Sequence, residues 1–197
     1  VIYFSMKSLI YKTLFASIFF VCSCEEESNE KTTIEIGDVY QGGIVFYIDN
    51  TGEHGLIAAM EDVSTSTEWG CLSTYVDGAD NLTLGSGYQN TLDIVDFNCS
   101  TENGSDNTAS KLTIELVHNT YDDWYLPSRD ELFHMYLNIG KGGIDENYNI
   151  GVFSNSTYWS SSESNSFYAW TVNFTNGSST SMLKNTFSNQ LRAIRSF

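Results

Sequence analysis

The residues best placed to do chemistry lie between positions 159 and 173. Trp159, Tyr168 and Trp170 stand near Ser160, Glu163 and Asn165, with Asn173 shortly after. Aromatic rings beside amides, hydroxyls and a carboxylate make a surface suited to a sugar. Ring faces meet its C–H bonds and polar groups meet its hydroxyls. Tyr168, flanking a polar stretch, is expected to be the better exposed aromatic. A second stretch, Asp77-Gly-Ala-Asp-Asn81, supplies carboxylate and amide oxygens of the type hard cations take. Catalytic arrangements are thinner. Ser181-Met-Leu-Lys184 has the Ser-x-x-Lys spacing of a serine nucleophile, and Ser105-Asp-Asn107 fits a second element of that pattern. Their order is reversed, no Lys-Thr-Gly is present, and Ser181 sits in a strand-like stretch rather than at a helix start. His54, His118 and His134 have neither metal-ligand spacing nor a Gly-x-Ser-x-Gly partner. No enzymatic activity is expected.

The elements that must position these residues follow from period and punctuation. Residues 39–48 read as a strand, Asp49-Asn-Thr-Gly52 as a turn and 55–59 as a returning strand. Gly42-Gly43 within the first strand predicts a bulge or a close backbone approach. Residues 61–86 read as loop around Trp69 and Cys71. A helix is expected over 88–97, with Leu92, Val95 and Tyr88 inward, and another over 108–118, with Ala109, Leu112, Ile114 and Leu116 inward. Pro127 biases Leu126 away from helical angles. Ser128 then caps a third helix, with Glu131 completing a capping box. That helix is expected to end near Asn138, before the turn Gly140-Lys-Gly-Gly143. Strands are expected at 158–160, 169–174, 179–183 and 192–195, with Asn176-Gly177 as a hairpin turn.

The chain has 197 residues, and 41% of them are hydrophobic, enough for one core behind a leader. Lys7 and Lys12 precede or flank Leu14-Phe-Ala-Ser-Ile-Phe-Phe-Val21, the pattern of a secretory signal, with Met6-Lys7 as its expected start. Val21-Cys22-Ser23-Cys24 resembles a bacterial lipobox. Cys24 is the expected lipidation site, because bulky Val21 would sit at the cleavage point for Cys22. The expected layout is a signal over 1–23, an acidic tether over 24–36 and a folded domain over 37–197. Losing 1–23 removes two lysines and no acid, moving the net charge from −16 to −18. Nucleic-acid backbones and anionic lipid heads would repel such a chain, so no nucleic-acid partner is expected and membrane attachment would come through the lipid. Glu25-Glu26-Glu27 after Cys24 resembles a surface-export signal of Bacteroidetes lipoproteins. The expected location is the bacterial outer membrane, on the cell surface. Export also makes a Cys71–Cys99 disulfide the default.

Trp124-Tyr-Leu-Pro-Ser-Arg-Asp-Glu-Leu132, Tyr158-Trp-Ser-Ser-Ser-Glu163 and Arg192-Ala-Ile-Arg195, in that order, closely resemble one family. It is the C-terminal domain family of bacterial collagen-like adhesins (Lcl C-terminal-like), many of them domains of unknown function. The resemblance covers roughly 37–197. It implies an α+β, C-type-lectin-like fold: N- and C-terminal strands paired, two to three flanking helices and a long loop region. It implies an extracellular glycan or protein as partner, and it places Trp159 in the core. By analogy with C-type lectins, Glu163, Asn165 and Asn173 would offer oxygens to a calcium ion, although no Glu-Pro-Asn or Trp-Asn-Asp is present. Sulfated glycans, bound by the best-known member, are disfavoured by the acidic charge. The helix-entry motif also resembles that of formylglycine-generating enzymes. Their reactive cysteines lie near the C-terminus, whereas Cys71 and Cys99 lie far upstream. The competing reading is a structural module that makes protein contacts only. No oligomeric state is assigned.

Overall fold

A computed structural model describes residues 33–143 and 149–197. The signal segment, Cys24 and most of the tether lie outside the described residues. The N-terminal strands are β1 (Val39–Tyr40), β2 (Gly43–Ile48), β3 (Gly55–Ala59) and β4 (Ser64–Thr67). Three helices follow: α1 (Gly87–Asp96), α2 (Ala109–Ile114) and α3 (Arg129–Ile139). The chain closes with β5 (Thr157–Glu163), β6 (Tyr168–Asn173), β7 (Ser179–Leu183), β8 (Asn189–Leu191) and β9 (Ile194–Ser196). This is a mixed α+β architecture with two sheets. The first has strand order β1-β2-β3-β9, so the N-terminal hairpins pair with the last strand. The second has order β4-β8-β5-β6-β7. Among the described residues β5 and β8 pair parallel, and its other neighbours are antiparallel.

The strand expected over 39–48 is two strands, and the one expected over 192–195 is a change of sheet followed by β9, with β8 before it unexpected. Residues 39–48 break at Gln41-Gly42, where φ is +42° and +89°. Two successive left-handed residues form a tight hairpin turn whose twist matches the flanking strands. The register Tyr40↔Gly43 closes directly behind it. The close approach expected at this glycine pair is real at Gly43, where a Cβ would lie 2.2 Å from the Ala58 carbonyl oxygen. At the other end, β8 joins the second sheet and β9 joins the first. The crossing falls at Arg192-Ala193. The Arg192 side chain is buried there: Nε donates to Asp62 Oδ1 at 2.7 Å, and Nη1 donates to the Ala59 and Gly151 carbonyls, both at 2.9 Å. An alternating pattern looks the same whether a strand stays in its sheet or leaves it.

α1 buries a different face from the one its apolar residues suggest. Gly87, Asn90, Thr91 and Ile94 are buried, whereas Tyr88 is 46% exposed. Hydrogen bonds select this face. Asn90 Nδ2 donates to the Asn81 carbonyl at 2.6 Å, and Thr91 Oγ1 accepts the Leu126 amide at 3.1 Å. α2 is shorter than expected. The chain leaves it for a turn at Asn119-Thr120, both at positive φ, closed by the His118–Tyr121 bridge.

α3 starts as expected. Ser128 Oγ accepts the Glu131 amide and Glu131 Oε2 accepts the Ser128 amide at 2.7 Å, a complete capping box. Glu131 also reaches outside the helix, where Oε1 accepts the Gly85 amide at 2.8 Å. This ties the loop before α1 to the start of α3. Leu132, Met135 and Tyr136 turn inward onto Phe46, Tyr158 and Phe174 in the largest core cluster.

Glu131 is fully buried without a cation, and burial raises its pKa above the usual carboxylate value against the pull of its amide donors. The folded state therefore keeps this proton at pH values where the unfolded chain has lost it. Stability contributed by Glu131 must fall as pH rises through the window above about 4.5. Urea midpoints of the protein and of Glu131→Gln, compared from acidic to mildly alkaline pH, should show the wild-type advantage shrinking as pH rises. An advantage that grows with pH would contradict the assignment.

Candidate functional site

The stretch expected to be a polar loop is mostly strand. β5 runs through Glu163, and only Ser164–Phe167 separates it from β6. Asn165 is exposed, and its Oδ1 accepts the Phe167 and Tyr168 amides at 2.9 and 3.2 Å, which closes the turn. Asn173 does the same at the far end of β6, where its Oδ1 accepts the Thr175 amide at 2.8 Å.

Two of the candidate ligand-binding residues are internal, Glu163 against expectation and Trp159 in the core where the family resemblance placed it. Trp159 is fully buried, with Nε1 donating to the Thr67 carbonyl at 2.9 Å. Trp69 answers across the same interface, with Nε1 donating to the Ser160 carbonyl at 2.9 Å. Each indole N–H is satisfied by a backbone carbonyl, as burial of the ring requires. Glu163 is also buried and forms an ion pair with buried Lys184. The carboxylate further accepts the Val76 amide at 3.0 Å. Lys184 Nζ donates to the Thr74 carbonyl at 2.7 Å and the Cys71 carbonyl at 3.4 Å, with the Trp69 ring 4.5 Å away. Burial raises the Glu163 pKa and lowers that of Lys184, while each partner pulls the other back toward its charged form. Neither residue reaches an external ligand. Lys184 turns inward while Ser181 stays exposed on β7.

The proposed calcium set does not converge. Glu163 pairs with Ala169, and Asn173 lies four residues further along β6. That is about 13 Å at the usual strand rise. Among the described residues, no group of three or more His, Cys, Asp or Glu is arranged to hold a metal ion. In the acidic loop, Asp80 Oδ2 accepts the Tyr75 hydroxyl at 2.9 Å.

What does converge is an aromatic surface on one face of β6 and β7. Tyr168 and Trp170 are two residues apart, so they share a face. Tyr168 is 38% exposed and lies opposite Leu183, which is 43% exposed. Trp170 is half-buried and lies opposite Ser181. The Arg129 guanidinium stands 5.2 Å from the Trp170 ring. Asp130 Oδ1 holds that guanidinium through Nε at 2.8 Å and Nη2 at 2.7 Å. A stacked, paired arginine keeps a fixed plane. Phe133, exposed at the surface, follows Arg129 by four residues and so shares its helix face. Leu183 and Phe133 were missed in the sequence. Helical spacing gave a signal for Phe133, whereas Leu183 needed the β6–β7 register.

Cys71 and Cys99 form the expected disulfide, which joins the loop after β4 to the residues following α1. Residues 59–195 match the Lcl C-terminal domain, an adhesin-associated domain of uncertain function. The chain belongs to that family. The matched stretch holds the disulfide, all three helices, the whole second sheet and the aromatic surface. β1, β2 and all of β3 but Ala59 precede it, yet β3 pairs with β9, with Ile57 opposite Arg195 and Ala58 opposite Ile194. The Lcl C-terminal domain of this chain is therefore built together with its preceding hairpin. No curated protein matches the chain.

Proposed function

We propose that this protein is a lipid-anchored lipoprotein of the bacterial outer membrane. In this reading its Lcl C-terminal domain, C-type-lectin-like in fold, binds an extracellular glycan. The observation that carries this reading is the surface formed by Tyr168, Trp170 and the Asp130-held Arg129. Aromatic faces take the apolar side of a pyranose, and the guanidinium offers donors at its edge. The net charge of −18 once residues 1–23 are removed favours neutral glycans over sulfated ones. Anchoring is assigned to a lipid on Cys24, and calcium is not needed.

One observation favours the competing reading of protein contacts only. β7 is an edge strand of the second sheet, and Ser179, Thr180 and Ser181 are exposed without a charge among them. Such an edge can accept a strand from another protein.

A glycan array with Tyr168→Ala and Trp170→Ala as controls separates the two. Each substitution should weaken binding about tenfold, the equivalent of roughly 1.4 kcal/mol, and EDTA should leave binding intact. A blank array together with concentration-dependent self-association would select the protein-contact reading instead.

A further inference from the structure

A second concave surface lies on β4, at the opposite edge of the second sheet from β7. One wall is Ser66, Thr67 and Glu68; the other is the 101–107 loop; Leu112 and Phe187 complete it. The cleft has a volume of about 310 Å³, near the lower end for small-molecule sites.

Its walls are tied together by hydrogen bonds. Thr67 Oγ1 donates to the Asn107 carbonyl at 3.1 Å, and the Ala109 amide donates to the Glu68 carbonyl at 3.0 Å. Thr101 Oγ1 donates to Asn103 Oδ1 at 2.7 Å, which shapes the loop. Asn185 Nδ2 donates to Glu102 Oε2 at 3.0 Å and so holds the segment that carries Phe187.

Two features of this built cleft point to a ligand. Glu68 is only 9% exposed, yet just one of its carboxylate oxygens has a hydrogen bond: Oε2 accepts the Glu102 amide at 2.8 Å. Among the described residues Oε1 has no hydrogen-bond partner, and Glu68 lines the cleft. A carboxylate oxygen with no protein partner, on a residue otherwise so buried, is open to a donor brought into the cleft. The second feature is Phe187, a 60% exposed aromatic ring at the rim. Between them, Asn103 Nδ2 and the Asn107 side-chain amide make no hydrogen bond among the described residues. No lysine or arginine lines the cleft.

We propose that this cleft binds a single pyranose ring, with its C–H face on Phe187 and its hydroxyl or amino edge on Glu68 and Asn103. The uncompensated carboxylate ranks the sugars. An amino sugar binds best, a neutral hexose binds less well, and a uronic acid is excluded by charge. The site stands apart from the β6–β7 surface and uses none of its residues.

Amide chemical shifts of the ¹⁵N-labelled full chain, titrated with millimolar glucosamine, methyl glucoside or glucuronate, test the proposal. Glucosamine should move the Glu102, Ser105 and Asn107 amides, methyl glucoside should move them at higher concentration, and glucuronate should not move them. Glu68→Gln should weaken glucosamine about fivefold and bring it level with methyl glucoside, a change of roughly 1 kcal/mol. Phe187→Ala, at an exposed position that the fold does not need, should weaken both sugars. Glucosamine leaving those amides unmoved would overturn the proposal, as would glucuronate binding equally well. Glucosamine affinity unchanged in Phe187→Ala would also overturn it. None of these outcomes depends on Tyr168 or Trp170, so failure here leaves the glycan-array result to be read separately.

Discussion

Lys184→Met is expected to lower the thermal midpoint by roughly 6–20 °C. This follows from about 3–5 kcal/mol for removing one partner of a buried ion pair, at about 2–4 °C per kcal/mol for a domain of this size. The loss has three sources. Glu163 keeps its burial but loses its counter-ion, retaining only the Val76 amide. The Thr74 and Cys71 carbonyls lose the ammonium that gathers them. Trp69 loses a cation 4.5 Å from its ring. The same ammonium therefore holds the loop after β4 to the ends of β5 and β7. Without it, Glu163 moves further toward its neutral form, beyond the rise that burial already causes. The folded variant then binds a proton that the unfolded chain releases near the ordinary carboxylate pKa. Its stability falls as pH climbs above that value, so the deficit should be wider at about pH 8 than at about pH 5. Calorimetry at the two pH values measures this. The double variant Glu163→Gln/Lys184→Met should recover much of the loss, because it leaves no charge buried. A single variant melting with the wild type would show that the pair carries no stability.

Removing the disulfide should have the next largest effect. Cys71 and Cys99 are 28 residues apart in sequence. Opening a loop of that length costs roughly 3–4 kcal/mol in the chain-entropy model. The bridge closes a segment with little regular structure beyond α1, and its neighbours are tight. Gly70 has φ +96°, and a Cβ there would lie 2.6 Å from Thr108 Cγ2. Cys71→Ala/Cys99→Ala is therefore expected to unfold earlier in urea by that amount. It should also be cleaved by protease first between residues 72 and 107. Lys184 holds the Cys71 carbonyl, so the two perturbations share a partner. Combining them should depart from additivity by about 0.5–3 kcal/mol. Strict additivity would show that the ammonium and the bridge act on the loop independently.

Much of this protein was readable from local signals. The capping box at Ser128 and Glu131, the Asn176-Gly177 turn and the Cys71–Cys99 pair each depend on a few residues or on the compartment. Each appears where expected. Hydrophobic period gave the three helices and most of the strands in order, but not β4, within a stretch read as loop, nor β8. The buried face of α1 did not. Its inward residues include Asn90 and Thr91, whose partners Asn81 and Leu126 lie in other segments. Hydropathy ranks such residues as outward-facing, and the bonds that Asn90 Nδ2 and Thr91 Oγ1 make to those segments turn them inward.

The candidate site shows the same division. Glu163 stood in a polar run beside aromatics, the setting of a ligand-binding carboxylate. Its side chain instead meets Lys184, 21 positions later, and both are buried. Tyr168 was identified from its neighbours. Its companions Leu183 and Arg129 come from β7 and from the start of α3.

By itself the sequence determined the class of fold, the family likeness, the helix starts, the β2–β3 and β6–β7 hairpins and the cysteine pair. These rest on spacing within one segment, where steric preference and side-chain period act directly. Tertiary structure alone decided which polar residues are inside, where the chain changes sheet at Arg192 and which aromatics share a face. Those outcomes are set by register and by pairing between distant segments. There Glu163 is held inside because Lys184, from another part of the chain, arrives to pair with it.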